Sequence, residues 1–263
     1  MKILKLVRTT SVALVALACW GACLTSSAEK LNNARDFQAS IPGQDAQKLA
    51  DQQSESDADA LVAKGEYASA IEKYKKLDLT QARILNKLGI AYEYLGGMKI
   101  AKTDYEEAIK LNPWLAPAYN NLATVYYSER DNKKAEKLYK KSIKLDPGDA
   151  SAYKNLGTEY FARRKFGKGS EMYAVAMKID PTIFNHNHSL DVSQFDRDLL
   201  AEMNYFLAEL CAENGQMTAA LAYLDKAVSY GFNDAHRLYN DRALASVREM
   251  PGFGGLLRGG FAK

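Results

Sequence analysis

The chain has 263 residues, 47% of them hydrophobic and 25% charged, which is enough to bury a sizeable core without crosslinks. Its 35 basic and 32 acidic residues leave a formal net charge of +3. That near-balance, with no block of Lys and Arg, lacks the electrostatic footprint of a nucleic-acid binder and leaves recruitment to a membrane surface by charge equally unsupported.

The first segment is basic (Lys2, Lys5, Arg8), then apolar from Val12 to Leu24, then small, with Thr25-Ser26-Ser27-Ala28 before Glu29. This is the anatomy of a signal peptide, so residues 1–28 are expected to be removed after Ala28 and the mature protein to be secreted or periplasmic. The apolar run of roughly 13 residues falls short of the roughly 20 that a membrane-crossing helix needs, so no stable span is expected after cleavage. Cys19 and Cys23 leave a lipoprotein as the alternative, although neither has leucine three residues before it. Removal of residues 1–28 takes three basic residues and no acidic ones, leaving 32 of each. Only Cys211 then remains of the three cysteines, so no internal disulfide can form.

Residues 29–50 are polar and irregular around Pro42-Gly43, and they read as a flexible leader. A block over 51–81 follows, with a helix expected through Asp57 to Ala63 and a second behind Gly65-Glu66-Tyr67, bearing Ala70 and Tyr74.

Three blocks of 34 residues then run in strict tandem over 82–115, 116–149 and 150–183. Their fourth positions are Leu85, Tyr119 and Tyr153, their seventh Leu88, Leu122 and Leu156, their eighth Gly89, Ala123 and Gly157, and their eleventh Tyr92, Tyr126 and Tyr160. These four positions share one helical face. In the second half of each block, Ala101, Ala135 and Gly169 recur with Tyr105, Tyr139 and Tyr173 and with Ala108, Ser142 and Ala176, marking a second amphipathic helix. Each block closes on Pro113, Pro147 or Pro181, which ends a helix. Small residues let two helices approach, and aromatic side chains fill the space between turns. Gly169 departs from alanine, which marks either a weak point or a site of close packing.

These residues resemble the tetratricopeptide-repeat family, whose repeat is 34 residues long. The resemblance implies an all-α fold, a right-handed superhelix of about five helical hairpins with a C-terminal capping helix. A weaker copy over 201–234 carries Gly215, Met217, Ala220, Leu224 and Ala227, completing an array over 51–234 that residues 184–200 interrupt.

The interruption holds Asn185-His186-Asn187-His188 and Asp191, with Asp196 and Asp198 beyond. Two histidines one residue apart make a poor ligand set, and a polar loop leading to a helix near Ser193 is the simpler reading. Asn187-His188-Ser189 also fits a glycosylation acceptor. Residues 235–263 read as a cap, with a helix from about Asp241 to Glu249 and with Leu244, Val247, Phe253, Leu256 and Leu257 covering the last hairpin.

At about 100° per residue, the face opposite the helix–helix contact carries positions two, five, six, nine, twelve and thirteen. In the family this face lines the concave groove. The resemblance therefore points to peptide binding by Asn86, Lys87, Ile90 and Tyr94, by Asn120, Asn121, Thr124 and Tyr127, and by Lys154, Asn155, Thr158 and Phe161. Asn121 and Asn155 stand where peptide-binding members hydrogen-bond a backbone, whereas Lys87 departs from that pattern. Tyr127 and Phe161 could equally pack against neighbouring repeats. No phosphate loop or nucleophile arrangement stands out, and Cys211 falls at a core position, so no enzyme activity or cofactor is expected. The expected role is a protein-interaction scaffold in the cell envelope with a protein or peptide as partner. The alternatives are a structural subunit assembling through array ends or the convex face, and a metal-dependent enzyme at His186 and His188.

Overall fold

The structure is a computed structural model that describes residues 42–184 and 196–260. The chain divides into two compact units, Met1–Ser56 and Asp57–Lys263. All elements among the described residues are helices. Helix α1 (Pro42–Ala63) is followed by α2 (Tyr67–Tyr74), and the three tandem blocks form α3 (Ala82–Tyr94) with α4 (Met98–Leu111), α5 (Ala116–Ser128) with α6 (Asn132–Leu145), and α7 (Ala150–Ala162) with α8 (Phe166–Ile179). A further hairpin, α9 (Arg197–Glu213) with α10 (Met217–Tyr230), precedes three short helices, α11 (Ala235–Asn240), α12 (Ala245–Arg248) and α13 (Phe253–Gly260).

The 34-residue spacing becomes one repeated turn. Each first helix ends on a left-handed residue, with φ of 78° at Gly65, 78° at Gly96, 62° at Arg130, 55° at Arg164 and 74° at Gly215. The next amide folds back onto the helix, as when Gly97 N donates to Tyr92 O at 2.8 Å and Asp131 N to Tyr126 O at 2.9 Å. This satisfies a carbonyl that the helix end leaves unpaired and reverses the chain. Glycine takes that conformation freely, whereas Arg130 and Arg164 adopt it against a steric cost.

Small residues at the eighth position admit the tyrosine of the second helix. A Cβ on Gly89 would lie 2.6 Å from the Tyr105 ring, and one on Gly157 would lie 2.5 Å from the Tyr173 ring. Gly169 proves to be a site of close packing, because the Phe161 ring lies 2.6 Å from where its Cβ would stand. Tyr105, Tyr139 and Tyr173 are buried, as are Leu88, Leu122 and Leu156.

Three boundaries differ from those expected. Helix α1 begins at Pro42, within the stretch read as leader, since a first-turn proline loses no helical hydrogen bond. Helix α9 begins at Arg197 and not near Ser193, because Asp196 is the cap, accepting Leu199 N at 2.7 Å. The tail forms short helices and no single helix from Asp241, where Asp241 Oδ1 instead holds Ala243 N at 2.9 Å in a turn. Leu244, Val247, Phe253 and Leu256 are nonetheless buried with Leu224 and Ala227 of the last hairpin, as a cap requires. The side chain of Leu257, the segment of residues 1–41, and the group Asn185 to Asp191 with its two histidines lie outside the described residues.

Candidate functional site

The first helices of successive hairpins lie side by side and are tied by asparagine. Asn121 Nδ2 on α5 donates to Asn86 Oδ1 on α3 at 3.0 Å, and Asn155 Nδ2 on α7 donates to Asn120 Oδ1 on α5 at 3.1 Å. The sixth position of each repeat thus reaches back to the fifth of the one before. At the N-terminal end the same position holds Lys87, whose Nζ lies 2.6 Å from Asp59 Oδ2 on α1. At the other end it holds Phe206, and the polar ladder stops. Each donating amide uses one N–H in the ladder, and the amide group carries a second N–H and a carbonyl oxygen besides.

Behind the ladder stands a row of hydroxyls. Thr124 Oγ1 lies 3.1 Å from Tyr139 Oη, and Thr158 Oγ1 lies 2.8 Å from Tyr173 Oη. The first repeat has Ile90 at this position, and Tyr105 Oη donates instead to Glu93 Oε2 at 2.8 Å. Burial raises the Glu93 carboxyl above its ordinary range, and the Tyr105 hydrogen bond opposes that shift. Burial likewise lowers the Lys154 ammonium, while Asp149 and Asp180 pull the other way.

Of the residues expected to face a ligand, Lys87, Ile90, Asn121, Thr124, Lys154 and Asn155 are partly exposed, and Tyr94 is 53% exposed with its ring stacked on Tyr67 at 4.7 Å. The other five require correction. Asn86, Asn120, Tyr127, Thr158 and Phe161 are buried. A helical wheel shows only one neighbour, whereas each first helix is also covered by the first helix of the next repeat. Phe161 is enclosed by Tyr173 at 4.9 Å, Phe206 at 5.7 Å and Phe166 at 6.1 Å. Two participants escaped the sequence reading. Glu93 shares the twelfth position with Tyr127 and Phe161, so register alone could have found it. Asp59 accepts from both Lys87 and Tyr74. It was hidden because its block is three residues short.

Cys211 is buried, which pushes its thiol up to about 11, away from reactivity. Among the described residues no cluster of three His, Cys, Asp or Glu side chains could hold a metal, and no helix is long and apolar enough to cross a membrane.

Models of the tetratricopeptide repeat match residues 82–113, 116–149 and 201–230. An uncharacterized protein ycf37 of Pyropia yezoensis is 34% identical over 67 residues, which span 24% of this chain and 38% of that relative. Among solved structures, Pseudomonas aeruginosa pilF aligns at 16% identity with a TM-score of 0.52, over 81% of this chain and 92% of its own. A thermophilic TPR protein of Thermus thermophilus aligns at 19% identity with a TM-score of 0.50, over 74% of this chain and 98% of its own. At these identities the likeness is one of fold, a helical solenoid.

Proposed function

We propose that this chain, three segments of which match the tetratricopeptide repeat, is an exported adaptor that holds an extended polypeptide segment against the first helices of its hairpins. Export rests on the basic, apolar and small-residue order of residues 1–28. The observation that carries the binding role is the asparagine ladder. It fixes Asn121 and Asn155 by one N–H each, so their remaining donor and acceptor groups are oriented before a ligand arrives. Groups held in place lose little entropy when they pair with a backbone. Lys87, Lys154 and Tyr94 flank them, offering charge and a flat aromatic surface. Solenoids bind along such faces because each repeat adds contacts in register. Assembly through the C-terminal end is less favoured, since α11 to α13 already cover the apolar face of the last hairpin.

The test is affinity capture from an extract of the envelope with the parent chain and with Asn121→Ala/Asn155→Ala, each first checked by thermal melting. Because both residues also join repeats, the double variant should melt earlier yet remain folded at the capture temperature. Loss of the polypeptide partner under those conditions supports the groove. Undiminished capture by the folded variant contradicts it.

A further inference from the structure

The near-neutral total charge conceals a segregated patch. Six of the 14 residues of α6 are lysine and one is acidic. Lys133, Lys137, Lys140 and Lys144 are exposed and follow at spacings of four, three and four, a single stripe along the helix. By helical rise the stripe is about 16 Å long. The opposite face, with Ala135, Tyr139 and Ser142, is buried. The one acid, Glu136, is drawn toward the next hairpin by Arg163 Nη1 at 2.7 Å and Tyr160 Oη at 3.1 Å, and it pairs with Lys140 at 2.7 Å. Lys133, Lys137 and Lys144 have no carboxylate partner among the described residues.

Both ends of the stripe are unusual. Arg130, exposed at the turn before α6, takes a left-handed conformation where three of the five turns use glycine. Beside the C-terminal half, Trp114 is 77% exposed and the ammonium of Lys141 lies 5.8 Å from its ring. Lysine is depleted from protein–protein interfaces, so an uninterrupted lysine stripe is poorly matched to a folded partner. Long lysine stems suit a sheet of negative charge, and an exposed tryptophan suits the headgroup level of a bilayer. A flat sheet can also reach an outward helix face that needs no enclosing groove.

We propose that the outer face of α6, with Arg130 and Trp114, is a peripheral docking site for an anionic phospholipid surface. The site is separate from the asparagine ladder and does not depend on what the ladder holds. Trp20 and Trp114 are the two tryptophans of the chain, so Trp20→Phe leaves Trp114 as the sole reporter. This full-length protein is mixed with phosphatidylcholine vesicles, with or without phosphatidylglycerol, and read by Trp114 emission and by co-sedimentation. Anionic vesicles should shift the emission to the blue and sediment the protein, with the effect lost in high salt.

Lys133→Gln/Lys137→Gln/Lys144→Gln, with circular dichroism confirming the fold, should weaken binding on the order of a hundredfold, at roughly fivefold for each lysine. Residues 12–24 are apolar in their own right. The difference between parent and triple variant is therefore the deciding quantity. Equal binding of the two to anionic vesicles, or preference for soluble poly-glutamate or DNA over vesicles, would each overturn the proposal.

Discussion

The glycines at the eighth position show how one missing methyl group decides packing. Gly157→Ala would gain helix propensity, yet its Cβ would lie 2.5 Å from the Tyr173 ring, so the variant should lose roughly 1–3 kcal/mol in denaturant unfolding. Gly167→Ala in the same hairpin meets nothing within 4 Å and should be neutral or stabilising by up to about 1 kcal/mol. The reverse case is Glu159. It fills the tenth position, where the other repeats have Ala91, Val125 and Leu210, and its side chain is 0% exposed. Arg163 holds one carboxylate oxygen at 2.9 Å, while the other is buried and has no hydrogen bond among the described residues. Arg163 keeps Glu136 as a second partner. Glu159→Leu should therefore raise the melting temperature, by on the order of 1 kcal/mol in stability, and a fall would show that the carboxylate holds the repeat interface together.

At the scale of elements, the periodicity of small and aromatic residues was sufficient to read α3 to α8, because each position has one steric task. What it could not resolve was the second layer of contacts. Thr158 and Phe161 look outward on a wheel, but the next hairpin brings Phe206 against Phe161, and no wheel includes that helix. The asparagine ladder was invisible for the same reason, as it joins residues 35 apart across a repeat boundary. The cap was legible as an apolar tail, though its polar anchor was not. Tyr205 Oη donates to Asp241 Oδ2 at 2.7 Å, and Arg237 Nη1 lies 2.9 Å from Glu202 Oε2. Burial first, and then the Asp241 carboxylate, push Glu209 up to about 9, while Arg237 opposes. A carboxyl raised on folding holds a proton that the unfolded chain releases, so its contribution is fully present below about pH 4.5 and is lost as pH climbs toward 9. The melting temperature should fall across that window, and Glu209→Gln should flatten the fall. An unchanged slope in the variant would assign the pH dependence elsewhere.

At the scale of the whole molecule, two faces of one solenoid differ in chemistry. First helices present fixed amides and hydroxyls, and second helices of the central repeats present lysine. A photo-crosslinking amino acid separates these faces when introduced at Tyr94, Thr124 or Lys154 on the inner side and at Lys137 or Lys168 on the outer side. Irradiation of the protein in the cells that make it should yield polypeptide adducts from the inner positions alone. Polypeptide adducts confined to the outer positions, or absent from all three inner ones, would contradict the claim that this protein holds a polypeptide against its first helices.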